Sequence, residues 1–174
     1  MLRAMVLSMG LILLASCASA EDKPELNLKT FALWIHANTG LPMPKDYPVV
    51  VGMPHDAMCR NYTQDPDMLK ECLNPDAPLT LMAFYRGDLK LIGVPNTFNP
   101  NDLYDLSFII HELTHHMQYE AGVDKPLACH KQLEPQAYKA QADWLAAQGD
   151  PHPWKTMDID RMTLKLVSMC SGET

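Results

Sequence analysis

The sequence predicts an α+β domain in which a short antiparallel sheet or hairpin packs on a buried helix, with further helices towards the C-terminus. Three stretches predict it. Thr80 to Tyr85 and Leu89 to Val94 are rich in β-favouring residues and flank the turn triplet Arg86-Gly87-Asp88, which is a hairpin pattern. Asn99 to Glu120 reads as one helix with Leu106, Phe108, Ile109, Ile110, Leu113 and Met117 on most of its sides, and such a helix is buried. Glu134 to Gln148 brings Ala137, Ala140, Trp144 and Leu145 to helical spacing.

In chain order, a first helix is expected over Leu26 to Asn38, with Leu28, Phe31, Ala32 and Ile35 on one stripe and Gly40 as its stop. His36 reads as a helix-end residue. Leu41 to Pro48 is a Pro-rich connector, and Tyr47 to Val51 is a short β-branched strand. His55 to Pro78 holds Asn61, Asp65, Pro66, Asp67, Asn74, Pro75 and Pro78, and is expected to be irregular. The R-G-D triplet at Arg86 is turn chemistry and not an adhesion signal. Pro95 ends the second hairpin strand. Asn99-Pro100-Asn101-Asp102 starts the buried helix with Asn99 as cap and Pro100 in its first position, and Gly122 stops it. A last helix is expected over Met157 to Ser168.

Residues 1 to 20 read as a signal peptide, leaving 21 to 174 as one domain. Arg3 supplies the charge, Ala4 to Leu14 the apolar run, and Ala18-Ser19-Ala20 a small-residue cleavage site. A second cut is written over the first: Leu14-Ala15-Ser16-Cys17 fits a lipobox, with cleavage before Cys17 and a lipid on that cysteine. Both readings export the chain to the periplasm or beyond, the second as a membrane-anchored lipoprotein. Without Arg3 the net charge moves from −7 to −8, and no basic run is present. That argues against nucleic acid as a partner, and leaves the Cys17 lipid as the one route to a membrane. Of the cysteines, Cys59, Cys72, Cys129 and Cys170 remain, an even set suited to an oxidising compartment. Three pairings exist; Cys59–Cys72 and Cys129–Cys170 are favoured, the first closing a turn-rich loop and the second tying the C-terminal helices. The 12 methionines are scattered and read as core filling, not copper ligands.

The chemistry lies in Ile110 to Gln118, I-H-E-L-T-H-H-M-Q. His111 and His115 stand one helical turn apart and can reach one metal ion. Glu112 lies about 100° round the helix, near enough to hold a water without filling a ligand position. With seven histidines in the chain, chance supplies about 0.01 such H-E-x-x-H motifs. Two histidines and a glutamate on a buried helix also need partners, and Zn2+ supplies them. A third ligand is expected downstream, from Glu120, Asp124, Cys129, His130 or Glu134; His55 is a minor candidate upstream.

H-E-L-T-H-H-M-Q, followed by Glu134-Pro135-Gln136-Ala137-Tyr138, resembles the gluzincins, zinc metallopeptidases with H-E-x-x-H on one helix and a glutamate ligand on a second. The likeness is closest to small, uncharacterised exported bacterial members with H-E-x-x-H-x-x-Q and E-x-x-A-Y. It implies a zincin-like domain that hydrolyses peptide bonds in peptide or protein substrates. It also implies metal ligands His111, His115 and Glu134, with Glu112 as general base. Pro135 disfavours helical geometry at Glu134, which places that residue at a cap and keeps His130 as the runner-up ligand. Tyr138 and His116 are the nearby oxyanion donors to consider, with His116 expected to cap or face solvent. Gln118 lies two turns below His111, within reach of a supporting contact. The alternative is a zinc-binding but non-catalytic envelope protein or binding module.

Overall fold

The computed structural model describes residues 26–76 and 81–170. The signal-peptide and lipobox readings, and Thr80 of the expected hairpin, lie outside these residues. Helix α1 (Leu28–Thr39) is capped by the Asn27 side chain and stops at Gly40, whose φ of 76° is left-handed. Strand β1 (Val49–Met53) follows the Pro-rich connector. Strands β2 (Phe84–Arg86) and β3 (Leu91–Pro95) form the expected hairpin. The sheet is nevertheless mixed, in the order β1-β3-β2, with β1 parallel to β3. The expected hairpin is present, and β1 adds a parallel strand to it. Parallel pairing needs a crossover, and the stretch expected to be irregular supplies one.

That stretch contains two short helices, α2 (His55–Tyr62) and α3 (Pro66–Cys72). Two of the residues read as breakers are start signals: Asp65 accepts hydrogen bonds from the Asp67 and Met68 N–H groups, and Pro66 occupies the first turn. The Cys59–Cys72 disulfide pins α2 to α3, as expected, and both cysteines are fully buried.

Helix α4 (Leu103–Ala121) starts three residues later than expected, because Asp102 is the cap and Asn99 turns the chain before it. Gly122 ends it in a left-handed conformation. Ile109, Ile110, Leu113 and Met117 are fully buried, packed with Ile35, Ile92 and Trp144 in the main core. A 3-10 turn (His130–Leu133) leads into α5 (Glu134–Ala147), which packs along α4. A short helix that was not expected, α6 (Pro153–Thr156), comes next, and the last expected helix begins at Arg161 and not at Met157, as α7 (Arg161–Ser168), because Asp158 adopts a positive φ and Asp160 caps the start. Cys129 and Cys170 are bonded, as expected.

Candidate metal centre

The helical period of α4 aligns His111 and His115, and their Nε2 atoms lie 3.1 Å apart. Across from them, the first residue of α5 brings Glu134 Oε2 to 3.2 Å from His111 Nε2 and Oε1 to 3.5 Å from His115 Nε2. Ligands at about 2.0–2.1 Å from a tetrahedral zinc are about 3.3 Å from one another, so the three donors stand at ligand spacing. Glu134 is helical (φ −55°, ψ −43°), which corrects the expectation drawn from Pro135. The 3-10 turn already winds the chain, and a proline in the first turn of a helix forfeits no intrahelical hydrogen bond.

The hydrogen bonds around the histidines decide which nitrogens are open. Gln118 donates its amide hydrogens to Leu133 O (3.1 Å) and Gln136 Oε1 (2.9 Å), leaving its Oε1 to face His115 Nδ1 at 2.9 Å. Gln141 donates to Ser107 Oγ (2.9 Å), which itself donates to Tyr104 O, leaving Gln141 Oε1 facing His111 Nδ1 at 3.1 Å. Both Nδ1 atoms therefore donate. Each neutral ring then turns an Nε2 lone pair towards the other and towards the Glu134 carboxylate. Three acceptors at this separation repel one another unless a cation joins them. A proton is one answer: burial works against a charged His115, but the Glu134 hydrogen bond and the nearby Glu112 charge outweigh it and raise its pKa. A divalent metal is the other, and the donor set of two imidazoles and a carboxylate suits one.

Glu112 lies beside the donors at the cleft floor and is almost fully buried. Burial pushes its pKa up, against the pull of His111 and His115. Burial also pushes Glu134 up, but its hydrogen bonds from the two histidines prevail and hold it well below the usual carboxylate range. These residues floor a cleft of about 370 Å³, walled by Tyr62, Phe84, Phe108, Tyr119 and Tyr138. Tyr138 lies against His111, ring centroids 4.5 Å apart. Its hydroxyl is pushed up to about 12 by burial and by the Glu134 and Glu112 charges. Burial and the same two carboxylates raise Tyr62.

None of the other candidates joins this group among the described residues. His116 is fully buried, not solvent-facing: its Nε2 lies 2.8 Å from Asp46 O and its Nδ1 2.9 Å from the Tyr85 hydroxyl. His130 is exposed at the cleft rim, against Tyr119. Glu120 pairs with Lys90 at 2.8 Å. His55 converges with Cys59 and Cys72, but those sulfurs are bonded to each other and the ring lies 2.9 Å from Cys72 O. Gln118 supports His115 rather than His111. Gln141, Ser107 and Tyr62 were not singled out from the sequence. A polar residue in an apolar helix stripe was the available signal for the first two, and no local pattern marks Tyr62.

No curated protein and no solved structure matches this chain. A family model described as a domain of unknown function (DUF6647) matches residues 19–173, and the chain belongs to that family.

Proposed function

We propose that this protein is an exported zinc metallopeptidase. The observation that carries the reading is the convergence of His111, His115 and Glu134 at ligand spacing with the buried Glu112 carboxylate beside them. His111, His115 and Glu134 would hold the zinc ion, which would supply a Lewis acid for the scissile carbonyl and for an attacking water, whose pKa would fall towards about 7. Glu112 takes the proton of the attacking water and passes it to the leaving amine. Its pKa, raised by burial, supports that exchange, since a carboxylate that binds its proton more firmly is the better general base. Tyr62 and Tyr138 bring hydroxyls that stay protonated at neutral pH to the same cleft, where one can donate to the oxyanion.

β2 is an edge strand of the sheet and borders the cleft together with residues 81–83. An extended peptide adds to such an edge through main-chain hydrogen bonds, which makes peptides and proteins the substrate class. Two disulfides support export, since they persist in oxidising compartments. Glu112→Gln is the test. It should lower peptide hydrolysis about 100- to 10,000-fold while the zinc content per chain stays at one. A wild-type chain that binds zinc yet cleaves nothing across a broad peptide library would instead mark a non-catalytic zinc-binding protein.

A further inference from the structure

Ligand histidines usually give their second ring N–H to a carboxylate, a backbone carbonyl or water. Here both face the side-chain carboxamides of Gln118 and Gln141, which are 0 % and 1 % exposed. Two features make this more than packing. Each amide has its orientation imposed by partners behind it, Leu133 O and Gln136 Oε1 for Gln118 and the donating Ser107 hydroxyl for Gln141. Leu133 also directly precedes Glu134, so Gln118 grips the turn that delivers the third donor as well as the ring of the second.

The carboxamide has a further consequence. Glu112 and Glu134 already place two carboxylates at the cleft floor. A carboxylate behind each histidine would put four negative groups round one divalent ion, and each added buried charge must be desolvated. An amide oxygen fixes the same tautomer and adds no charge.

We propose that Gln118 and Gln141 are the positioning residues of the metal centre, each locking one histidine with Nδ1 protonated and Nε2 open, and Gln118 also tying that lock to the turn before Glu134. The inference rests on His111, His115 and Glu134 being the ligands. It assigns roles to two side chains outside the ligand set, on two different helices.

The test is metal affinity, not hydrolysis. Zinc and cobalt(II) affinities of the full exported chain are measured against a chelating chromophore, together with the cobalt absorption spectrum. Gln118→Met and Gln141→Met keep side-chain length without the acceptor, so a packing role alone leaves affinity unchanged. The positioning role predicts about 10- to 100-fold weaker binding for each, and an altered cobalt spectrum for Gln118→Met. Gln141→Glu keeps an acceptor for His111 Nδ1, with Ser107 free to turn its hydroxyl to the new carboxylate, and should bind more tightly than Gln141→Met. If wild type binds neither metal, the ligand assignment falls and the inference with it. If wild type binds and both methionine variants, folded by circular dichroism, stay within about threefold of it, the inference alone is overturned.

Discussion

Glu134 reaches both histidines from the start of α5, whereas His130 stays at the rim of the cleft. Glu134→Ala should therefore lose zinc by more than the roughly 100-fold typical of a missing supporting group, while His130→Ala retains it; metal content after dialysis separates the two. Tyr85 gives a second expectation. Burial and the Glu120 charge push its hydroxyl up to about 12, above the ordinary tyrosine value of about 10. The folded chain thus holds this proton more tightly than the unfolded one, and stability falls as pH rises from about 10 to about 12. Urea midpoints at pH 9 and pH 11 should show that loss. Tyr85→Phe should lessen it while costing about 1 kcal/mol at neutral pH for the hydrogen bond to His116.

Among the elements, β2 and β3 are joined by an exchange of bulk. Phe84 lies opposite Gly93 in the register, and a Cβ on Gly93 would collide with the Phe84 ring. Gly93→Ala should cost about 1–3 kcal/mol, and less in a Phe84→Ala background, because the two sites share the same space. Thermal unfolding of the single and double variants checks it. Helix positions were largely legible because their signals are local: Gly40 and Gly122 stop α1 and α4 in left-handed conformations, and α5 begins at Glu134. The crossover helices were missed because Asp65 and Pro66 belong equally to turns and to helix starts, and only the chain that follows decides. The parallel partner of β3 was missed for a different reason. β1 lies about forty residues upstream of β3, and sequence distance says nothing of which strands meet.

For the whole molecule, the three candidate donors straddle the packing of α4 on α5, so an ion bound there would add a fastening to the apolar contacts and glutamine hydrogen bonds that already join the two helices. Zinc at about 1,000 times its Kd should add about 4 kcal/mol. Its removal by a chelator should lower the melting temperature by about 10 °C at this chain length. Glu112→Gln should keep that dependence and Glu134→Ala should lose most of it. The Cys59–Cys72 bridge closes a separation of 13 residues, and replacing both cysteines with alanine should cost about 2–4 kcal/mol. It should also disturb the cleft, since Tyr62 at the end of α2 is one of its walls.

The sequence by itself determined what is periodic or paired: the buried α4, the alignment of His111 with His115, the hairpin, and two disulfides. Each rests on a repeat of one turn or two residues, or on a pairing with few alternatives. Only the tertiary structure decided the rest. It brought Glu134 and not His130 to the histidines, buried His116 between Asp46 and Tyr85, and set Gln118 and Gln141 behind the rings of His115 and His111. Those placements depend on how α4, α5 and β2 lie against one another, and contacts between elements leave no period in a chain.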